Sequence, residues 1–310
     1  MELRQLRSLV ALVENDFSVT RTAARLHLVQ SAVSQHISRL EEEVGTVIFT
    51  RHGKRLVGLT GAGGKIVHYA YRVLAETRNI SALGKESVDD TVGVLRIGAT
   101  HTQARYVLPP VIKAFRKAFP KIELQIHQGT PQQLVDMAIT DTVDFSICTE
   151  AIGDFPELAS VPCYQWNRSL IAKPDNPLLK RRRITLQMLC SQPIITYVFG
   201  FTGRSHFSNT FFDAGLTPQI VLSAVDTDVI KTYVREGMGI GIIASLAYDL
   251  KQDADLEYRD LSALFPWEIT KIAYQSDKFL RRSHRHFIDV FQDYVSKPNR
   301  WLGMLPANQE

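Results

Sequence analysis

The apolar pattern of this chain changes period near residue 92, and that change constrains the fold more than any other feature. Before it, apolar residues recur mostly at helical spacing. After it, short apolar runs alternate with amphipathic stretches of helix length. Two separate architectures are therefore expected in one chain.

In the first part, Leu3, Leu6, Leu9, Val10 and Val13 define an amphipathic helix, and Ser18 can cap a second in which Ala23, Ala24 and Leu26 face inward. A break at His27–Val29 follows. The stretch QSAVSQHISRLEEEVG then places Val33, Ile37, Leu40 and Val44 on one stripe, while the other face carries Gln30, Ser31, Ser34, Gln35 and Ser38, with no acid until Glu41. Two short helices, a tight turn and a third helix with a neutral, hydrogen-bonding face form a helix-turn-helix. A helix that enters a major groove needs donors and acceptors for base edges, and carboxylates there would face phosphates unfavourably. Arg39 is placed for a phosphate. After Gly45, the run Phe49–Arg55 reads as a basic hairpin tip, with Arg51, Lys54 and Arg55 available to a nucleic-acid backbone.

From Thr60 to about Ser87 the helical spacing continues through Ile66, Tyr69, Val73, Ile80 and Leu83. A helix of that length, with a stripe and no globular partner of its own, suggests pairing with the same helix of a second subunit. The run VDDTVG, Val88–Gly93, reads as a hinge.

Beyond it, strands at Val94–Gly98, Ile122–His127 and Val143–Thr149 alternate with helices at Leu108–Phe119 and from Pro131. A second set follows at Ser169–Ala172, Pro193–Tyr197, Phe207–Ala214, Ile220–Ser223, Val229–Glu236 and Gly241–Ala244. The βαβαβ order argues for parallel sheets with helices on their faces. In such sheets ligands sit beyond the carboxyl ends of strands. Three polar loops fall there: Thr100, His101, Thr102 and Gln103; Thr149 and Glu150; and Gly200–Ser205, which contains Thr202, Gly203 and Arg204. Hydroxyls, an amide and free backbone N–H groups suit a small polar or anionic ligand.

Composition narrows the class. The 310 residues are 45% hydrophobic and 22% charged, as in globular proteins, and the formal charge of only +4 means that any basic surface is local. The three cysteines, Cys148, Cys163 and Cys190, form no CxxC pair and suggest a reducing compartment. The start MELRQLRSLV lacks a signal-peptide core, and the charge-free window Ile184–Gly203 is too rich in Gln, Ser, Thr and Pro for a membrane span. A cytoplasmic location without membrane attachment is expected.

No HExxH, GxSxG, Walker loop or CxxC pattern points to an enzyme, and no cofactor or metal is expected. GMGIGIIA, Gly237–Ala244, has the wrong order for a dinucleotide site and reads as a helix-to-strand connection. Asp226 and Asp228 read as caps of the preceding helix. The runs Lys180–Arg183 and Arg281–His286 read as solvated surface.

The arrangement LRQLR…TRTAARLH…QSAVSQHISRLEEEVG…IFTRHGKRLVGLTGAG resembles the LysR-type transcriptional regulators. Val29 departs from their pattern, standing where Ser or Thr usually caps the recognition helix, and Gly61 stands where an acid or proline commonly opens the next one. The resemblance implies the fold class: an N-terminal winged helix-turn-helix plus linker helix, followed by a two-lobed periplasmic-binding-protein-like α/β effector domain. The expected divisions are a DNA-binding domain at 1–59, a dimerising linker helix at 60–87, a hinge at 88–92 and an effector-binding domain at 93–310. Within the last, lobe I is expected at about 93–162 and 269–295, and lobe II at about 163–268.

THTQARYVLPPVIKAF, HQGTPQQL, CTE, PCYQWNRSL, ITYVFGFTGRS and LSAVDTDVIKTYVREGMGIGIIA are similar to the CysB and Cbl branch of that family, which controls sulfur assimilation, cysteine biosynthesis and sulfonate use. That resemblance implies that Thr100, Thr102, Gln103, Thr149 and Thr202 contact a sulfate-like ligand, with Trp166 nearby. The implied effectors are sulfate, thiosulfate, adenosine phosphosulfate, or O- or N-acetylserine. It further implies a homotetramer on double-stranded promoter DNA in contact with RNA polymerase. The competing expectation is a small-anion binding or transport protein whose N-terminal helices serve oligomerisation.

Overall fold

The computed structural model describes residues 1–53, 55–86, 91–149, 155–198, 204–296 and 304–306. The chain divides into two compact units, Met1–Val88 and Asp89–Glu310.

The first unit contains α1 (Leu3–Glu14), α2 (Val19–Leu26), α3 (Gln30–Val44), the hairpin β1 (Phe49–His52) and β2 (Arg55–Leu59), and α4 (Gly61–Glu86). Ser18 caps α2 by accepting from the Arg21 amide, and His27 closes that helix in the left-handed conformation, so α3 restarts within three residues. Val29 stands at the N-cap of α3 with no side-chain hydrogen bond. Leu6, Leu9, Leu12, Ile37, Leu40, Phe49, Val67 and Leu74 share one core. Val44, expected on that core stripe, is exposed instead. The chain reverses at Gly45 (φ 69°), and Ile48 and Phe49 take the core space.

Thr60 opens α4, its hydroxyl accepting from the Gly63 amide at 2.8 Å, so the cap does not depend on Gly61. A Cβ on Gly63 would lie 2.0 Å from the Ile48 carbonyl oxygen, so only glycine lets α4 approach β1 this closely. Val67, Ala70 and Leu74 are buried in this unit, whereas Tyr69, Val73, Ile80 and Leu83 are exposed along the same helix.

The second unit contains two sheets. Its elements are β3 (Gly93–Ala99), α5 (Leu108–Ala118), β4 (Ile122–Gln128), α6 (Pro131–Ile139), β5 (Phe145–Cys148), β6 (Leu158–Trp166), β7 (Arg168–Ala172), α7 (Leu186–Cys190), β8 (Ile194–Tyr197), α8 (Arg204–Asp213), β9 (Ile220–Ala224), α9 (Thr227–Arg235), β10 (Ile240–Ala244), β11 (Glu257–Asp260), β12 (Glu268–Gln275), α10 (Arg282–Val295) and β13 (Met304–Pro306). The first sheet has the order β13-β6-β12-β5-β3-β4 and the second β11-β7-β10-β8-β9.

The expectation of parallel sheets is corrected to mixed ones. β3 is parallel to β4 and β5, and β8 to β9 and β10, but β12 runs antiparallel to β5 and β6, and β7 to β10 and β11. The chain passes between the sheets without a helical crossover, and a parallel landing needs one. The lobe boundary also moves. β6 stays paired with β12 through Trp166, opposite Glu268, so the crossing lies at Asn167 rather than at 163.

Asn167 is fully buried and bolts the two crossings together. Its Nδ2 donates to the Phe265 carbonyl at 2.9 Å, and its own carbonyl accepts from the Ser245 amide and hydroxyl. The Arg281–His286 run is not the solvated surface expected of it. Ser283 and His284 are buried, because α10 lies against the first sheet, with His284 edge-on to Phe145. No helix among the described residues is long and apolar enough to cross a membrane.

Candidate functional site

Two surfaces gather the polar residues singled out by the sequence. On α3, Gln30, Ser31, Ser34, Gln35, Ser38 and Arg39 are all exposed, while Val33, Ile37 and Leu40 on the reverse side are buried. No carboxylate stands between Asp16 and Glu41 in the sequence. Arg21 and Arg25, which lie in that interval, pair with Asp16 and Glu14. Arg39 makes no ion pair among the described residues, so its charge is available to a phosphate.

In the hairpin, Arg51 and Arg55 are exposed and Lys54 lies outside the described residues. Arg51 is held at 3.3 Å from Glu41, whose other oxygen accepts from the Ile48 and Phe49 amides. Glu41 thus fixes the base of the hairpin to α3 and directs Arg51. The arrangement presents a neutral helical face beside a cationic tip, which matches a duplex groove and its flanking backbone.

The second surface lies at the carboxyl ends of β3, β4 and β5. Thr100, Thr102, Gln103, Pro131, Thr149, Trp166 and Leu246 line a pocket of about 280 Å³ of empty space, open solvent included. Thr100 precedes a helical segment that begins at His101 and continues through a π-helical turn, Gln103–Val107, into α5. Thr100, Thr102 and Gln103 are nearly buried, and so is Trp166. The Trp166 indole N–H donates to Thr149 Oγ1 at 3.1 Å, and Tyr164 donates to Gln103 Oε1 at 2.6 Å. Among the described lining residues there is no charged side chain.

His101, expected beside these residues, does not line the pocket. Its Nε2 is 3.8 Å from Asp228 of α9. Asp226 caps α9 by accepting from the Val229 amide at 2.8 Å, but Asp228 has a different role from the cap expected of it. It accepts from the Tyr106 hydroxyl at 2.6 Å and from Arg105 Nε at 3.4 Å. Burial pushes the Asp228 carboxyl up, yet the Tyr106 hydrogen bond and the cations Lys231 and Arg105 hold it below the usual aspartate range. The Tyr106 phenol is pushed well above its ordinary value by burial and then by Asp228, so it remains a donor.

Glu150, Thr202 and Gly203 lie outside the described residues, and Arg204 is the first residue of α8. Sequence reasoning missed Tyr106, Tyr164, Thr270 and the buried pair Arg168–Glu268. Arg168 Nη2 is 2.7 Å from Glu268, with both side chains 2% exposed, and its guanidinium lies 5.5 Å from the ring centres of Trp166 and Phe265. Glu268 also meets His206 of α8 at 2.9 Å. The only signal for this group was a charged residue at the start of each crossing strand. Among the described residues, no cluster of three or more His, Cys, Asp or Glu side chains is arranged to hold a metal ion.

A helix-turn-helix whose third helix exposes no carboxylate before Glu41, joined in one chain to an α/β unit with a polar pocket at its strand ends, is the arrangement of a DNA-binding regulator with a sensor domain. Residues 3–64 match the bacterial regulatory helix-turn-helix protein, lysR family, and residues 89–296 match the LysR substrate binding domain. The chain belongs to the LysR family of bacterial transcriptional regulators. It is 42% identical to the transcriptional regulator CysB of Haemophilus influenzae, over 96% of this chain and 92% of that one. It is 39% identical to the regulator SsuR of Burkholderia cenocepacia, over 96% of each. The crystal structure of the cofactor-binding domain of the Cbl transcriptional regulator superposes with a TM-score of 0.64 at 38% identity, covering 66% of this chain and 90% of that one. Family membership sets aside the anion-transport alternative.

Proposed function

We propose that this regulator controls genes of sulfur assimilation, cysteine biosynthesis or sulfonate use in response to a small sulfur-linked anion or acetylated serine. The observation that carries the reading is the pocket. Thr100, Thr102 and Gln103 after β3 converge with Thr149 after β5, with Trp166 behind them and no charged side chain among the described lining residues. Similarity to CysB and SsuR over nearly the whole chain supports the same metabolic assignment.

In this reading residues 1–59 bind DNA, 60–87 pair two subunits, 88–92 act as a hinge and 93–310 sense the effector. Gln30, Ser31, Ser34, Gln35 and Ser38 read base edges, while Arg39, Arg51, Lys54 and Arg55 take phosphates. His101, Glu150, Thr202, Gly203 and Arg204 complete the neighbourhood of the effector. The exposed stripe Tyr69, Val73, Ile80 and Leu83 supports pairing of α4 with its copy, and two such dimers form a tetramer on promoter DNA. Ligand shifts the arrangement of dimers, and with it the contact to RNA polymerase, by binding one arrangement better than the other.

The test is promoter binding with and without sulfate, thiosulfate, adenosine phosphosulfate, O-acetylserine and N-acetylserine. Ser34→Ala with Gln35→Ala abolishes discrimination between promoter and unrelated DNA. Thr100→Val with Thr149→Val leaves DNA affinity intact and removes the effector response. A normal response in the second double variant places the effector elsewhere, and retained discrimination in the first removes α3 as the reading helix.

A further inference from the structure

Two polar side chains of α1 are buried against α3. Gln5, 3% exposed, donates to Glu43 Oε1 at 3.1 Å, and Ser8, fully buried, lies 2.7 Å from His36 Nδ1. The Ser8 bond has a definite direction. A neutral imidazole has one nitrogen that donates and one that accepts, and a serine hydroxyl can serve either. Among the described residues the Ser8 hydroxyl has no other hydrogen-bond partner, and it is shut off from water. Were Nδ1 the donor, the Ser8 proton would be a buried donor without an acceptor, the costlier arrangement. Ser8 therefore donates to Nδ1, and the ring proton sits on Nε2.

His36 is half-buried, and its Nε2 makes no hydrogen bond among the described residues and is not enclosed, so it stands as an open donor. Its place on the helix says what it meets. Ala32, His36, Arg39 and Glu43 recur at i, i+4, i+7 and i+11, so they form one flank of α3, between the buried Val33 and Leu40 and the exposed Gln35. Arg39, one turn beyond His36, is exposed. Glu43, the acid of this flank, is engaged by Gln5. A helix seated in a major groove turns its exposed face to base edges and its flanks to the sugar-phosphate walls. A neutral N–H and a guanidinium one turn apart on a flank therefore meet phosphates.

We propose that His36, held by Ser8 as the Nε2–H tautomer, donates to a backbone phosphate of the duplex beside Arg39, which makes His36 a DNA-binding residue and Ser8 its positioning residue. This rests on α3 being the helix that enters the groove. Only the phosphate side of the bond is charged. It therefore strengthens binding to any duplex, whatever its sequence, without displacing a counterion.

The test is fluorescence anisotropy of the full chain on promoter DNA and on a duplex of unrelated sequence, across a salt series. Asparagine keeps an acceptor for Ser8 at the Nδ1 position but does not reach Nε2. Glutamine places an amide N–H at the Nε2 position and gives up the Ser8 contact. His36→Asn should weaken binding to both duplexes alike, by about tenfold, with the salt slope unchanged. His36→Gln should stay within about threefold of the wild type. Packing of α1 on α3 alone would reverse that order, and two variants that bind like the wild type likewise overturn the proposal. If His36→Asn does not fold, as judged by circular dichroism, His36→Met decides: it matches glutamine in length without the donor, and must bind about tenfold more weakly than the glutamine variant. Nitrogen-15 spectra of histidine-labelled protein read the part played by Ser8. The wild-type His36 ring should show Nδ1 unprotonated, and Ser8→Ala should admit the other tautomer. A protonated Nδ1 in the wild type, or an unchanged ring in Ser8→Ala, overturns the positioning role. If Ser34→Ala with Gln35→Ala keeps promoter discrimination, the reading of α3 fails and this proposal with it; if discrimination is lost while His36→Asn binds normally, only the His36 contact fails.

Discussion

The hydroxyl of Tyr106 donates to Asp228 Oδ1 at 2.6 Å, joining the π-helical turn of one lobe to α9 of the other. Lys231 adds a second link, its Nζ lying 3.3 Å from the same hydroxyl and 2.6 Å from Asp253. Gln103, in the pocket, belongs to the same turn as Tyr106. A single extra-wide helical turn thus carries a pocket residue on one side and an interlobe contact on the other. π-helical turns of this kind concentrate at functional sites.

Tyr106→Phe removes the donor and leaves the ring in place. Hydrogen bonds to charged groups contribute roughly 1.5–3 kcal/mol, less where solvent reaches the carboxylate as it does here. Amide hydrogen exchange in 103–107 and 227–235 should quicken in this variant while the buried strands keep their protection. Unchanged exchange in both segments would show that the contact does not hold the lobes together.

Val29 sits at the N-cap of α3 without a side-chain hydrogen bond, in extended backbone that suits a capping residue (φ −82°, ψ 152°). Val29→Ser should stabilise the first unit by about 1 kcal/mol. Urea unfolding monitored by circular dichroism reads the gain. No gain would mean that the exposed valine compensates through a contact in the oligomer.

Glu268→Ala removes the ion-pair partner at 2.7 Å from the Arg168 guanidinium, which is 2% exposed and lies 5.5 Å from the ring centres of Trp166 and Phe265. Removing one partner of a buried pair costs about 3–5 kcal/mol. A large drop in thermal midpoint is expected, together with weakened ligand binding, because Trp166 lines the pocket. Replacing both residues with apolar ones of similar volume should recover much of the loss. A small effect from Glu268→Ala alone would show that water reaches the site.

Burial pushes the His284 imidazole down to about 4, against an ordinary value near 6.5. The folded state therefore binds this proton less readily than the unfolded state. The stability it contributes is complete above about pH 6.5 and is lost as pH falls toward 4, by an amount on the order of 3 kcal/mol. His284→Gln should flatten that part of the stability profile measured by urea unfolding between pH 4 and 7. An equally steep profile in the variant would assign the slope to other groups.

Much of the framework was legible in the sequence because it rests on local pattern. The stripes on α1 and α3, the Ser18 cap and the order of strands and helices each depend on residues a few positions apart. Val44 was misread because periodicity does not register where Gly45 turns the chain. The antiparallel strands β12 and β7 were missed because direction is set by where the chain lands across the lobes. Asp228 had the look of a cap, and only the approach of Tyr106 from 122 residues away gave it another partner.

The sequence by itself determined the neutral outer face of α3, the apolar core of each element and the polar loops at the strand ends, since side-chain type and spacing are properties of the chain. Tertiary structure alone decided which of those polar groups meet. Trp166 and Gln103 became the two ends of one hydrogen-bonded line only when β6 and β12 brought Tyr164 and Thr270 together with Thr149 between them. Once these groups are out of water, every donor must find an acceptor, and that requirement sets the polarity of the site.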